Sequence, residues 1–172
     1  MSILRTNQIQ DTSGNSAMMI DSNGVINQPN KPMFQVGLSA AQSIPNATVS
    51  LVNFNDIQTS SGGFNIGGYF DTGNYWFKPL VAGYYYFDAQ LVIENATPDY
   101  LGVYIYKNGT EIRYNVGTES NAANAYVGAH TSTFTYMNGS TDYVNVYALH
   151  NSGSSKNLQI TFGRTQFGGY MI

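Results

Sequence analysis

Through most of this chain apolar and polar residues change places one for one. The clearest case is residues 83–94. There Tyr85, Phe87, Ala89, Leu91 and Ile93 hold one phase, and Asp88, Gln90 and Glu94 belong to the other. A period of two built from aromatic and branched residues predicts a strand with one face on a core. The second phase also carries Tyr84, Tyr86 and Val92. That face is therefore expected to be covered as well, by a partner subunit or a second layer.

The same alternation recurs along the chain. Phe34, Val36 and Leu38 mark a strand over 33–40, and a second is expected over 48–55. After the turn at 70–74 comes a short aromatic strand, 75–77. Leu101, Val103 and Ile105 alternate with Tyr100, Gly102, Tyr104 and Tyr106 over 100–107. Asn108-Gly109 is the strongest two-residue hairpin signal in the chain and joins this strand to 110–116. Over 125–137, Tyr126, Gly128, His130, Ser132, Phe134 and Tyr136 share a phase. Asn138-Gly139 reads as a second hairpin-type turn before 143–150. Residues 158–162 and 165–172 are the last two strands expected. Residues 59–68, 118–124 and 151–157 read as loops, rich in Gly, Ser and Asn. No helical period persists. About nine or ten strands between turn signals predict a two-sheet sandwich or barrel. The closing strand, with Phe167, Gly169, Tyr170 and Ile172, is expected to be central rather than an exposed edge.

Residues 1–31 follow a different pattern. The short apolar islands are Ile3-Leu4, 17–20 (with Met18, Met19 and Ile20) and Val25-Ile26. Between them stand the tight-turn sequences 11–15 and 21–24. No island can make a core alone, so this stretch is expected to be an arm that orders against a partner. Residues 27–32, with two prolines, read as an extended linker into a domain spanning 32–172.

Composition narrows the function classes. Only 10% of the 172 residues are charged, 14% are aromatic, and there are 18 Gly and 14 Tyr. Such a chain is a turn-rich β protein rather than a disordered one. Seven basic residues and a net charge of -3 offer no footprint for nucleic acid. No run reaches the roughly 18 apolar residues of a helical membrane span, and the first residues lack the apolar stretch of a signal peptide. There is no Cys, so disulfides and thiolate metal sites are excluded.

Catalytic chemistry finds little support. His130 and His150 lie on separate strands without ligand spacing, which reads as packed or surface histidine. There is no Gly-x-Ser-x-Gly elbow, and the Gly-rich 60–63 and 67–68 lack the Lys-Ser/Thr of a phosphate loop. Asp56, Asp71 and Asp99 sit near loop ends but form no cluster in sequence, leaving calcium as a weak option. No cofactor or metal is expected, and the chain is not expected to be an enzyme. Tyrosine, amphipathic and rigid, suits interfaces and sugar faces.

Several landmarks resemble the C1q/TNF family. Phe34-Gln35-Val36-Gly37-Leu38 is similar to that family's opening strand. Residues 49–54, 70–77 and 79–87, with Gly83-Tyr84-Tyr85-Tyr86-Phe87, follow in the family's order. Ala82 stands where the family usually has Pro. Thr165-Gln166-Phe167-Gly168-Gly169-Tyr170-Met171-Ile172 resembles its closing segment. The resemblance implies an all-β jelly-roll sandwich of about ten antiparallel strands that assembles as a compact homotrimer and binds rather than catalyses. It makes Tyr84, Tyr86, Tyr104, Tyr106, Phe134, Phe167 and Tyr170 the candidates for trimer contact or core. The leader, residues 4–15 and 20–26, resembles small virion structural proteins of tailed bacteriophages, especially of cyanobacteria. Ile3, Leu4, Met18, Met19, Ile20, Val25 and Ile26 are then the anchoring residues of the arm. The resulting expectation is a capsid cement or decoration protein of the virion, bound to the major capsid protein. The alternatives are a tail-fibre or head-fibre tip that binds host-surface glycan, and a secreted glycan-binding module.

Overall fold

The computed structural model describes residues 6–57, 62–93, 100–117, 126–161 and 163–172. The strands run β1 (Gln8–Gln10), β2 (Ser16–Ile20), β3 (Ile26–Asn27), β4 (Met33–Val36), β5 (Ser43–Ile44), β6 (Ser50–Leu51), β7 (Phe64–Ile66) and β8 (Phe70–Asp71). They continue as β9 (Trp76–Phe77), β10 (Ala82–Ile93), β11 (Leu101–Lys107), β12 (Thr110–Gly117), β13 (Val127–Asn138), β14 (Val144–His150), β15 (Lys156–Asn157) and β16 (Gln166–Met171). One sheet has the order β13-β10-β16-β4-β7. The other runs β12-β11-β14-β9-β8, with β6 also paired to β14. All pairings between named strands are antiparallel.

The two sheets close on each other through the phase the alternation marks. On β10, Tyr85, Phe87, Ala89, Leu91 and Ile93 have no exposed surface, and β11 and β14 answer with Leu101, Val103, Ile105, Val144, Val146 and Ala148. The centre is aromatic. The Phe34 ring lies 4.4 Å from Phe77 and 4.8 Å from Phe167. β16 is internal, between β10 and β4, as its apolar phase predicts. Gly169 makes this close approach possible. A Cβ there would stand 2.7 Å from both Phe87 Cδ1 and the Tyr86 carbonyl oxygen.

The hairpin at Asn108-Gly109 forms as predicted. Both residues have positive φ, 52° and 78°, the conformation a type I′ turn requires. Asn138-Gly139 differs from its expectation. It does not close a hairpin, because β13 and β14 belong to different sheets. The Asn138 Oδ1 instead accepts the backbone N–H groups of Ser140, Thr141 and Asp142. This local pairing satisfies the backbone while the chain crosses between layers. Residues 48–55 form only the two-residue β6, although Val52 and Phe54 are buried as the pattern requires. Part of the stretch read as a loop, Phe64–Ile66, pairs with β4. Residues 158–161 add no strand, and the edge pairing falls to β15 with β5. The loop expected at 118–124 lies outside the described residues.

Before the sandwich, β1, β2 and β3 make a small antiparallel meander. Its two turns have one design. Asp11 Oδ1 accepts the N–H groups of Ser13 and Asn15, and Asp21 Oδ1 those of Asn23 and Val25. Gly14 and Gly24 take the positive φ each turn needs. The linker is not fully extended, for Lys31 N–H bonds the Gln28 carbonyl in a turn.

Candidate functional site

The outward phase of the five-stranded sheet gathers a set of rings. Register aligns Phe134, Tyr86, Tyr170, Met33 and Ile66 in one row across five strands. Tyr136 and Tyr84 pair in the next row. Ring centroids are 5.5 Å apart for Tyr84 and Tyr136, 5.1 Å for Tyr86 and Phe134, and 5.4 Å for Tyr86 and Tyr170. The planes of these paired rings meet at 45–69°. Phe134 is 65% exposed and Tyr84 64%. An antiparallel sheet can face water on one side, but that side is then polar. A contiguous set of exposed rings marks an interaction surface.

Beside the rings the face becomes polar. The Asp88 carboxylate lies 2.5 Å from His130 Nε2 and accepts the Tyr86 hydroxyl at 3.3 Å. Gln35 Nε2 donates to Gln166 Oε1 at 3.0 Å. Between the two halves, Gly168 contributes no side chain. A hollow of about 260 Å³ opens there, walled by Tyr86, Tyr170, Phe64, Gln35 and Asp88.

The other sheet carries its own outward rings. Tyr104 faces Tyr114 across β11 and β12, with centroids 5.6 Å apart and planes only 17° off parallel. Tyr106 and Tyr147 approach to 4.4 Å. Burial pushes the Tyr104 and Tyr106 phenols above their ordinary range, and nearby phenols and Glu111 add to the effect. Trp76 and Tyr143 pair on the same sheet at 4.6 Å.

The candidates therefore separate into three groups. Tyr84, Tyr86, Phe134 and Tyr170 share one outer face, and Tyr104 and Tyr106 lie on the opposite side of the sandwich. Phe167 is fully buried in the core. In the meander Met19, Ile20, Val25 and Ile26 are exposed and Met18 is half-buried. Ile3 and Leu4 lie outside the described residues. His150 is buried, its Nε2 2.9 Å from the Ile44 carbonyl oxygen. Among the described residues no three His, Asp or Glu side chains converge as a metal site requires. Asp99 lies outside them.

No protein-family model matches the chain, and no curated protein matches it by sequence. Solved structures do match. Murine APRIL at pH 5.0 superposes with a TM-score of 0.61 at 11% identity, over 83% of this chain and 99% of that one. Its pH 8.0 form gives 0.60 at 12%, over 82% and 98%. The globular domain of zebrafish complement 1qA gives 0.58 at 15%, over 83% and 97%. This is the C1q/TNF-like jelly roll. The jelly-roll strands and the landmarks that suggested them agree with that fold.

Three features were not read from the sequence: the Asp88–His130 pair, the hollow over Gly168 and the placement of Tyr114. Only the first two follow from aligning residues 83–94 with 125–137 and 165–172 in antiparallel register.

Proposed function

We propose that this chain is a non-catalytic assembly protein, a homotrimer built on the ringed face of the five-stranded sheet. The observation that carries the reading is the row Phe134–Tyr86–Tyr170–Met33, exposed at Phe134 and Tyr170 and half-buried at Tyr86 and Met33, on a sheet whose other face already holds the core. Burying such a row against sister copies releases water from rings that cannot hydrogen-bond through their faces. The fold shared with APRIL and complement 1qA supports the same arrangement.

Within that reading the protein is a decoration, or cement, protein of a tailed-phage head, binding the major capsid protein through residues 1–31. The leader's resemblance to phage structural proteins supports this. The exposed Met19, Ile20, Val25 and Ile26 supply apolar grip. A three-stranded meander with little covered surface gains stability by docking. Bridging neighbouring shell subunits adds free energy only to the assembled particle, which is how a cement protein acts.

Light scattering tests the trimer: the expected mass is three times the chain's 18.8 kDa, and a monomer at micromolar concentration refutes it. Gold-labelled chain viewed by electron microscopy tests the location, with label expected over phage heads. Label on tails, or no binding to particles, refutes the cement reading. A chain lacking residues 1–31 is expected to remain trimeric and to leave the particle unbound.

A further inference from the structure

We propose that Asn23 is a site of spontaneous covalent modification, at which the side-chain amide is converted to aspartate and isoaspartate. The step needs only solvent water. The Gly24 backbone nitrogen attacks the Asn23 Cγ and gives up its proton. The Cγ–Nδ2 bond breaks, and ammonia leaves with that proton. Water then opens the resulting cyclic imide at either carbonyl, giving aspartate or isoaspartate. Nothing is oxidised or reduced. The inference depends neither on the trimer nor on the particle.

The chain offers three places for this chemistry, because Gly leaves the attacking nitrogen least hindered. They are Asn23-Gly24, Asn108-Gly109 and Asn138-Gly139. All three asparagines are exposed, so access to water does not rank them. Their hydrogen bonds do. The Asn108 amide donates to Asp142 Oδ1 at 2.7 Å and accepts the Tyr143 N–H at 3.0 Å. The Asn138 amide donates to Thr141 Oγ1, and its oxygen accepts the N–H groups of Ser140, Thr141 and Asp142. Both must release these bonds before Cγ can turn to the next nitrogen. The Asn23 backbone N–H is held by Asp21 Oδ1, but its side chain bonds nothing among the described residues.

Space and local stability rank the sites the same way. A Cβ at Gly139 would stand 2.4 Å from the Ala82 nitrogen, so the backbone there is closely packed. At Gly24 nothing lies within 4 Å of that point. The Gly24 N–H does bond the Asp21 carbonyl at 3.0 Å, so this turn must open before the nitrogen attacks. Opening costs little here. β2 and β3 contribute no buried residue, and a hairpin without a core is marginal in water. Asn108-Gly109 instead closes a hairpin whose strand β11 carries the buried Leu101, Val103 and Ile105.

The product changes the arm. Its described residues carry Asp11, Asp21 and Lys31 as their only charges, and conversion adds an acid close to Asp21. Isoaspartate also adds a methylene to the backbone, inside the turn that Asp21 Oδ1 holds through the N–H groups of Asn23 and Val25.

Peptide mapping by mass spectrometry tests the proposal on the full chain, aged in mildly alkaline buffer. Asn23 should convert at least about tenfold faster than Asn108 or Asn138, each of which must first release its hydrogen bonds. In urea, with the turns gone, all three should convert at similar rates. Asp142→Ala should speed Asn108 by about tenfold. Gly169→Ala, which weakens the sandwich but leaves the Asn108 contacts in place, should not. Conversion of Asn108 or Asn138 as fast as Asn23 in the folded chain refutes the proposal. So does an Asn23 that stays intact while the urea-unfolded chain converts, or an Asn108 that Asp142→Ala leaves as slow as in the wild type.

Discussion

Asp142 joins two separate turns, and its removal should loosen both. It lies where the chain leaves β13 for β14. Its Oδ1 accepts Asn108 Nδ2 at 2.7 Å, and its Oδ2 accepts Lys107 Nζ at 2.8 Å and the Asn138 N–H at 3.0 Å. Asn108 in turn accepts the Tyr143 N–H, so one carboxylate holds the β11–β12 hairpin against the crossover between sheets. The side chain is 11% exposed. A hydrogen bond to a charged group contributes about 1.5–3 kcal/mol net when buried. Lys107 is 21% exposed and also donates to the Tyr136 carbonyl oxygen, so it regains solvation when the acid is lost. The three bonds are not independent. Asp142→Ala should therefore cost about 2–3 kcal/mol, or roughly 5–10 °C in Tm for a chain of this size. Asp142→Asn should cost nearly as much, because its NH₂ must face one of three donors. The contacts from Lys107, Asn108 and Asn138 hold the carboxyl below its ordinary value of 3.8. The unfolded chain binds the proton first as pH falls, so this stability is complete above about pH 5 and fades below pH 4 as the folded group is finally protonated. Urea unfolding of both chains at pH 7 and in the acid range measures the difference. A gap under about 0.5 kcal/mol at pH 7, or one that does not narrow in acid, would show that the turns hold without this carboxylate.

Other predictions rest on equally local geometry. Gly169→Ala puts a methyl 2.7 Å from the Tyr86 carbonyl oxygen and from Phe87. Backbone cannot move as a side-chain tip does, so a loss of about 3 kcal/mol is expected in chemical unfolding; an unchanged midpoint would mean that β16 shifts freely. Phe134→Asp places a charge in the proposed trimer contact and should weaken assembly at least about thirtyfold, read by analytical ultracentrifugation. Retention of full affinity would remove that face from the contact. Burial raises the Tyr85 phenol from 10.0 to about 12, and its hydroxyl donates to the Val81 carbonyl at 2.8 Å. The unfolded phenol ionises first as pH rises, so its contribution to stability is present below pH 10 and lost between 10 and about 12. Tyrosinate absorbance should show this late-titrating group in the wild type and not in Tyr85→Phe. Identical titrations would contradict its burial.

Much of this molecule can be read from residue order. A strand has two faces, and alternation assigns each residue to one, so the buried phase of β10 and the outward Tyr84 and Tyr86 follow from spacing alone. The type I′ turn follows from Asn108-Gly109, because few other pairs accept two positive φ values. What alternation cannot convey is which sheet a strand joins. Tyr84 and Tyr104 are both outward residues on neighbouring long strands, yet they face opposite sides of the sandwich. Asn138-Gly139 resembles a hairpin signal, but its polar side chain satisfies the backbone equally well while the chain changes layer. Counting from the Asn108-Gly109 turn would set Tyr104 opposite Arg113. A bulge after Tyr106 moves the register on, and Tyr104 meets Tyr114 instead. One extra residue in an edge strand brings two tyrosines into a stacked pair. That shift is a property of the pairing between two strands, and the alternation along either strand alone does not report it.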